Sequence, residues 1–332
     1  MLTHCEKGLI NRWMRCGAGM LCALLAFASF TANAANVAGM YDAAVRVTDS
    51  TEATRQAAFA TALGIVAARV SGQRDAANKL GNALNAAPKY VQRYGYNTGF
   101  LEVGFDSAGV NSLLEQAGLP LWGRARPVTL VVLPSTLQGV REARAAVEQT
   151  AKLRGVPLAW ARTESSERVN MANTSQVQAL ADRYGATAVL VARMTDPTSV
   201  TSLKWQLLFD GAVQEIQGSI DEGPHLAADV LGHYYAVADK ESPITILEVA
   251  GIDGLDAYAT TLNYLTGLST VRTVKVANLQ RDTVRFQLEL RGGIENLRRG
   301  LELDQKLAAL QTGTVDPSSV LMYRLNGSVK VQ

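Results

Sequence analysis

The sequence has few of the residues that build reactive centres. Only three of its 332 residues are cysteines and three are histidines, and the cysteines, Cys5, Cys16 and Cys22, all precede residue 34. A chain that loses this start contains no thiol, so it forms neither a disulfide nor a cysteine-based zinc site. The two later histidines, His225 and His233, lie about 12 Å apart along the axis if they share a helix. We therefore expect that they do not bind one metal together.

The short motifs of common enzyme classes are also missing. After residue 34 the sequence contains no G-x-S-x-G, S-x-x-K, K-T-G or H-E-x-x-H motif and no G-x-x-x-x-G-K phosphate loop. We therefore predict that the protein is not an enzyme and has no catalytic, cofactor-binding or metal-binding residue. A glycosidase that uses two carboxylates has no short signature and stays open as an alternative.

The first 34 residues have the pattern of a secretory signal peptide. The basic residues Lys7, Arg12 and Arg15 precede an uncharged run of 13 residues, Ala18–Phe30, and small residues follow up to Ala34. We predict cleavage after Ala34. The apolar run is shorter than the roughly 20 residues that span a bilayer, although an uncleaved anchor remains the alternative.

Cleavage changes the charge balance of the chain. It leaves 29 of 32 basic residues and 29 of 30 acidic residues, so the formal net charge falls from +2 to 0. A neutral chain has no overall attraction to nucleic acid. We expect a soluble periplasmic protein that binds neither nucleic acid nor nucleotide and has no membrane span after processing.

The remaining sequence predicts the α+β class, with three small domains of α/β type. The first domain covers residues 37–123, and its main helix has Phe59, Leu63, Val66 and Val70 on one face. Its other predicted elements are a strand over 40–47, a helix cap at Asp49 or Ser50, a weak helix over 75–84, a strand at Tyr94 and Tyr96, a strand over 100–106, and a helix capped by Asp106 and ended by Gly118.

The second predicted domain covers residues 127–240. Its uninterrupted apolar strands, residues 128–133 and 187–194, are typical of a sheet that is buried on both faces. Asp210-Gly211 predicts a tight hairpin between residues 203–209 and 212–220. The other predicted elements are a helix over 137–154, a strand over 156–161, a helix capped by Thr174, and a helix with Pro224 in its first turn.

The third predicted domain covers residues 243–327 and has the order β-α-β-β-α-β, which is ferredoxin-like. The predicted elements are a strand over 243–252, a cap at Asp253, a helix over 255–268, strands over 271–279 and 283–291, a helix from Ile294 that includes Leu307, and a strand over 320–325. Arg285, Gln287 and Glu289 alternate with apolar residues, so they face solvent or a partner.

The stretch "GLPLWGRARPVTLVVLPS" (118–135) predicts a junction between the first two domains, which we call the seam. Gly118 and Pro120 stop a helix and Pro127 precedes a new strand, so we expect Trp122 to pack against the adjoining domain rather than a ligand. Four other features have structural interpretations. These are a solvated helix face at Arg298–Lys306, edge-strand packing of Tyr90, Tyr94 and Tyr96 rather than an aromatic ligand patch, core packing of Tyr234 and Tyr235, and a turn at Asp196-Pro197.

At "APKYVQRYGY" and "LEVGFDSAGVNSLLEQAGLPLWGRARPVTLVVL" the sequence resembles a secreted proteobacterial family of uncharacterised proteins, domain of unknown function two thousand and sixty-six. The resemblance covers roughly residues 37–240. It implies a periplasmic envelope protein and provides no catalytic residue. In element order alone, the second domain is similar to α/β domains of curli-export lipoproteins and of the Tol-system propeller protein, and the first to a domain of a flagellar assembly protein.

These observations predict a non-enzymatic periplasmic protein that works by binding, as an accessory in envelope assembly or maintenance. Its expected partner is a protein or peptidoglycan, and open sheet faces or edges are the expected binding surface, since such edges can accept a partner strand. One alternative is a peptidoglycan or glycan hydrolase with paired carboxylates. Another is a glycan-binding module centred on the ferredoxin-like domain.

Overall fold

The apolar spacing after residue 50 forms helix α1 (Glu52–Ser71) in the computed structural model, which describes residues 34–162, 166–195, 202–240, 243–310 and 320–326. The predicted face is buried, with Leu63 and Val66 fully enclosed. The cap is Thr51 rather than Asp49 or Ser50. Its hydroxyl accepts from the Thr54 N–H, while Asp49 Oδ1 accepts from the Thr51 N–H and hydroxyl.

The first core packs α1 against a three-stranded antiparallel sheet of order β2-β4-β3. The predicted strands are confirmed, and Asp106 caps α3 through the Gly109 N–H at 2.8 Å. The weak helix is shorter than predicted, since a 3-10 segment, Gly81–Tyr90, continues it and contains Pro88. The elements are β1 (Ala34–Asn36), β2 (Asp42–Arg46), α2 (Ala76–Leu80), β3 (Val91–Asn97), β4 (Phe100–Phe105) and α3 (Ser107–Gln116).

The central sheet has the order β10-β9-β8-β6-β7, with β7, β6 and β8 parallel and β9 and β10 antiparallel. Helices α4 and α6 cover one face and α5 covers the other, so β6 and β8 are buried on both faces as predicted. The elements are β5 (Ala125–Pro127), β6 (Thr129–Val132), α4 (Val140–Arg154), β7 (Leu158–Trp160), α5 (Thr174–Arg183), β8 (Ala188–Met194), β9 (Leu203–Phe209), β10 (Ala212–Gly218) and α6 (Glu222–Tyr235).

Two local features of the central region refine the sequence prediction. The β9–β10 hairpin forms at Asp210-Gly211, and both residues have positive φ, 49° and 73°, as this tight turn requires. The cap of α5 is Asn173 rather than Thr174, because the Asn173 side chain accepts from the Gln176 N–H at 3.2 Å.

The third sheet has the order β12-β13-β11-β15-β14, which keeps the ferredoxin-like neighbours and adds one strand. Leu307 lies in that added strand rather than in the preceding helix. Because the added strand precedes β15 and pairs antiparallel with it, the chain direction is reversed once more and β15 runs parallel to β11 instead of antiparallel. The α7 cap is Gly254 rather than Asp253. The elements are β11 (Thr245–Ala250), α7 (Leu255–Thr266), β12 (Val271–Gln280), β13 (Thr283–Leu290), α8 (Ile294–Asp304), β14 (Leu307–Ala309) and β15 (Leu321–Leu325).

The α+β class is thus confirmed, and apolar clusters mark a first, a central and a third core. The exact domain boundaries stay a prediction. Within the part of the chain that the structure describes, none of the helices combines the length and apolar character needed to cross a bilayer.

Candidate functional site

The seam between the first two cores is buried and closely packed. Trp122 is 2% exposed and lies in the central core, and its backbone N–H donates to the Val70 carbonyl at the end of α1. The prediction that Trp122 packs against the adjoining domain is confirmed. Two pairings missed by the sequence reasoning fix the segment further, β1 with β5 and Leu121 with Val237.

Arg126 is the most deeply buried charge at the seam, with no exposed surface. Its guanidinium carbon lies 3.8 Å from the centre of the Trp122 ring. Burial lowers the pKa of Arg126, and the neighbouring Arg69 lowers it further. The guanidinium of Arg126 donates to backbone carbonyls rather than to a carboxylate. These carbonyls belong to Gly123, Arg154, Gly155, Arg69 and Trp122.

Two more arginines cross between α1 and α4. Arg69 at the end of α1 donates to the Leu153 carbonyl at the end of α4, at 3.2 Å. Arg154 at the end of α4 donates to the Gly72 carbonyl after α1, at 2.9 Å, and to Asp229 Oδ1 at 2.6 Å. We call Arg69, Arg126 and Arg154 the arginine junction. Because helix C-termini carry unpaired carbonyls and partial negative charge, these cations stabilise both helix ends at once.

A cavity of about 190 Å³, the junction cavity, lies on the other side of the seam. It is bordered by segments from all three regions of the chain. Asn36 comes from β1, Trp122–Ala125 from the seam, and Tyr234 and Tyr235 from α6. The third region contributes Asn263, Tyr264, residues 267–270, Asn296, Arg299, Gly300, Leu303, Asp304 and Lys306.

Three buried polar atoms on the residues that line this cavity have no hydrogen-bond partner among the described residues. They are Trp122 Nε1, Tyr264 Oη and Thr270 Oγ1, whose residues are 2%, 8% and 5% exposed. Buried polar atoms are nearly always hydrogen-bonded, to protein or to water. The indole N–H of the equally buried Trp205, by comparison, donates to the Ser219 carbonyl at 3.0 Å.

The charges around the junction cavity are mostly positive. Arg124, Arg299 and Lys306 line it, and none of the three has an ion-pair partner among the described residues. Arg299 donates to the Tyr234 carbonyl at 2.7 Å and to Asn296 Oδ1 at 2.6 Å. Arg299 is therefore held in place at the cavity wall without its charge being neutralised.

Asp304 is the single carboxyl among the described residues that line the cavity. Burial raises its pKa, and burial together with Asp304 raises the pKa of Tyr264. The interpretation of Arg298–Lys306 as a solvated face is therefore wrong for Arg299 and Asp304. In a mixed-charge helix the pattern alone does not reveal which charges a neighbouring core covers.

A second cavity, of about 320 Å³, adjoins the seam on the side of α3. Glu115 of α3 and Arg291 after β13 form an ion pair at 2.6 Å between the first and third regions. Arg291 also donates to the Ser269 carbonyl. This pair is the main polar link that the described residues make between α3 and the third core.

The three tyrosines of the first region separate in the structure. Tyr90 packs against the first core, whereas Tyr94 and Tyr96 lie on edge strand β3 and are 52% and 45% exposed. Tyr94 contacts Phe59 edge-on with ring centres 5.3 Å apart. Edge-strand packing therefore accounts for Tyr94. Tyr234 and Tyr235 pack against Phe209, as expected for core residues, and also line the junction cavity.

Both later histidines lie on α6. His225 is half-buried, and its Nδ1 lies 2.8 Å from Arg154 Nη1, while His233 is exposed. Among the described residues no group of three or more His, Asp and Glu side chains is arranged to hold a metal ion. The Asp196-Pro197 turn and the signal sequence up to residue 33 lie outside the described residues.

Each of the three larger sheets has one edge formed by a largely exposed strand. These edge strands are β3, β10 and β12. Strand β12 has register shifts at 271–273 and 276–278, and β3 has one at 91–93. Strand β10 pairs with β9 over seven residues without any shift. Because bulges and charges protect sheet edges, β10 is the least protected of the three.

Sequence reasoning missed the lining of the junction cavity. Thr270, Asn296, Arg299 and Asp304 come from separate elements, and no local spacing connects them with Trp122. The seam itself was the only available signal, since binding clefts are common where domains meet.

The first region of the chain matches a protein-family model. A family model described as "Domain of unknown function (DUF8605)" matches residues 34–123. The search of curated proteins found no match. The first region of this chain is therefore similar to an uncharacterised domain.

Proposed function

We propose that this protein is a non-enzymatic periplasmic binding protein that assists envelope assembly or maintenance. In this proposal it binds an extended segment of another envelope protein through strand addition at β10. The secretion pattern before Ala34 and the resemblance of residues 37–240 to the uncharacterised secreted family support the location. The open edge of β10 supports the mode of binding.

The carrying observation is the regular, exposed edge of β10. All but the last of its residues are exposed, it contains no proline, and Glu215 is its single charged residue. The pair Phe209–Ala212 closes a two-residue hairpin and is hydrogen-bonded, and such pairs alternate along an antiparallel ladder. The N–H groups of Val213, Glu215 and Gln217 therefore point away from β9, where a partner strand can accept them.

The side chains of β10 suit a partner segment that is apolar and carries no charge. Val213 and Ile216 are 38% and 36% exposed, and they lie on opposite faces of the strand. Strand β12 is more apolar at Leu279, but Arg272 and Lys275 on it are engaged in ion pairs with Asp239 and Glu289. Because charged side chains and bulges protect β12, β10 is the stronger candidate.

The hydrolase alternative has one observation in its favour, the raised pKa of Asp304 in a cavity. Glycoside hydrolysis needs a second carboxyl about 5–10 Å away. Asp304 has no such neighbour among the described residues that line the same cavity. Binding is therefore the better supported function, and a protein partner is favoured over a glycan because the open surface is a backbone edge.

The test is site-specific photo-crosslinking in living cells. A photoreactive residue at Gln214 on β10 should give an adduct of one discrete mass with an envelope protein, and the same residue at the exposed Glu142 on α4 should not. The substitution Q217P removes one outward N–H and should abolish the adduct, while Q217A keeps the N–H and the adduct.

Three results would overturn the proposal. These are an adduct that survives Q217P, an adduct with a second copy of this chain, and the lack of any adduct at position 214 in cells that express the protein. Location is tested separately by cell fractionation and the mass of the purified protein, which we expect to begin at Ala35.

A further inference from the structure

The two faces of strand β10 have different surroundings, and one of them lies beside α6. Ile216 pairs with Trp205 of β9, whose side chain lies beneath the first turn of α6. A Cβ built on Gly223 of that turn would lie 2.5 Å from the Trp205 ring, so the helix and the sheet meet closely there. Because side chains alternate along a strand, Gln214 shares the α6 face of β10 with Ile216.

The opposite face of β10 is mainly polar. It carries Val213, Glu215 and Gln217, which alternate with Ile216 and are all exposed to water. The Glu215 carboxylate accepts from Lys204 Nζ at 2.8 Å and from Gln206 Nε2 at 3.0 Å, both on β9. The charge of Glu215 is thus paired within the sheet.

Helix α6 supplies an apolar wall on its own side of β10. Leu226 and Val230 lie one turn apart, and both are partly buried against the central core. The residues before them, His225 and Asp229, contact Arg154 of α4, and each further residue adds about 100° around a helix. Because α4 connects β6 with β7 at the far side of the sheet from β10, Leu226 and Val230 lie on the side of α6 that borders β10.

A strand that pairs with the free edge of β10 therefore meets a different surface on each of its faces. On one face its side chains lie against Ile216, Leu226 and Val230, and on the other they lie beside Glu215 and Gln217. An apolar side chain on the α6 face gains free energy by leaving water, whereas a polar side chain there loses its hydration beside apolar groups. On the opposite face a polar side chain keeps its contact with water.

We propose that the segment bound at β10 alternates apolar and uncharged polar residues, with the apolar ones against Leu226 and Val230. The inference rests on the proposed strand addition and adds the side-chain pattern of the partner. Strands that pass through outer membranes alternate apolar and polar residues in this way. The class of envelope segment that fits is therefore an unfolded strand of an outer-membrane protein.

The test measures the binding of two dye-labelled synthetic peptides to the purified protein by fluorescence anisotropy. Both have capped ends and about ten residues, the length of a strand that crosses an outer membrane. The first peptide alternates valine and threonine, and the second has the same composition but groups its valines in one half. We expect the alternating peptide to bind at least about fivefold more tightly, because half of the grouped valines point away from α6.

Two matched substitutions locate the apolar contact. V230D places a carboxylate on the α6 wall and should weaken binding of the alternating peptide more than about tenfold, because the bound peptide would cover an unpaired charge. V213D places the same charge on the opposite, water-exposed face of β10 and should weaken it less than about twofold. V230T keeps the shape of valine and should weaken binding about threefold even if V230D does not fold, and thermal unfolding checks the fold of each variant.

Equal affinity for the two peptides, equal effects of V230D and V213D, unchanged affinity in V230T, or no binding of either peptide would overturn the assigned pattern. The substitution Q217P tests strand addition separately. If both peptides bind equally and Q217P abolishes their binding, strand addition stands and only the pattern is wrong. If the alternating peptide binds through Val230 but Q217P has no effect, the proposed strand addition is wrong.

Discussion

The arginines of the arginine junction and the arginine at the wall of the junction cavity, Arg299, differ in their hydrogen-bond acceptors. Arg126 donates to five backbone carbonyls, and Arg69 and Arg154 each reach the terminal carbonyls of the opposite helix. At the cavity, Arg299 has one carbonyl and one amide acceptor, and three buried polar atoms on the lining residues have no partner among the described residues.

The difference teaches how a buried cation can be used. Where helix ends supply enough carbonyl oxygens, a guanidinium such as that of Arg126 connects two cores without a carboxylate partner of its own. Where fewer acceptors are present, as at Arg299, the same group joins two helices through one carbonyl and one amide oxygen. We therefore expect changes at the arginine junction to alter folding stability more than changes on the side of the cavities.

The largest effect is expected for R126M. Methionine fills much of the space but leaves five carbonyls without their donor, so the free energy of unfolding should fall by about 3–5 kcal/mol. Urea unfolding followed by circular dichroism measures it. The control R124Q, at an exposed neighbour, should change stability by less than about 0.5 kcal/mol. Equal effects of the two substitutions would contradict the special role of Arg126.

The next effect concerns the close approach of α1 and α6 beside the arginine junction. Gly72 has φ of 73°, and a methyl group there would lie 2.9 Å from Gly232 Cα and 3.1 Å from the Trp122 ring. We expect G72A to cost about 2–4 kcal/mol. The matched control is Gly118, with φ of 69° and open space around it.

G118A carries only the backbone strain of about 1–2 kcal/mol. Urea unfolding of both variants isolates the packing part of the effect. If G72A costs no more than G118A, the helices do not meet as closely as described.

A smaller effect is expected on the side of the cavities. E115Q removes the charge that pairs with Arg291 at 2.6 Å, where both side chains are about one-fifth exposed. Because Arg291 keeps its bonds to carbonyls, we expect a loss of only about 1 kcal/mol. Thermal unfolding of E115Q measures the loss, with E142Q, at an exposed residue of α4, as the control. A loss as large as that of R126M would erase the contrast between the two sides.

The smallest effect is a pH dependence at the arginine junction. Burial, followed by Arg74 and Arg154, lowers the pKa of His225 below its usual 6.5. The unfolded chain then binds a proton at higher pH than the folded chain, so the stabilising contribution is complete above pH 6.5 and is lost as the pH falls below it.

H225Q should therefore flatten the decline of stability between pH 6.5 and 5. H233Q, at the exposed histidine, should preserve it. Urea unfolding at several pH values distinguishes the two variants, and an unchanged slope in H225Q would mean that this histidine is not coupled to folding.

The sequence predicted most elements because their signals are local. The spacing of Phe59, Leu63 and Val66 and the alternation through Phe286 and Leu288 depend only on neighbours a few positions away. Helix caps were less certain, as Thr51 and Asn173 show, because several adjacent polar residues compete for the same N–H group.

The two junctions were not predictable in the same way. Arg126 is an ordinary basic residue in the sequence, and its burial depends on carbonyls of Arg69 and Arg154, which are 57 and 28 positions away. The cavity joins Trp122 with Thr270 and Arg299, which only the packed cores bring together. The pattern of a single sequence does not show which distant residues become neighbours in the folded chain.

The burial of Trp122 has a practical consequence for work on the uncharacterised domain. The matched region ends at residue 123, yet its Trp122 lies within the neighbouring core, and its Arg69 donates to Leu153 beyond that limit. A fragment cut at 123 would present the indole and its apolar surroundings to water, and such surfaces promote self-association. Recombinant fragments of this region should therefore extend past Gly155, where the carbonyls that receive Arg69 and Arg126 are included.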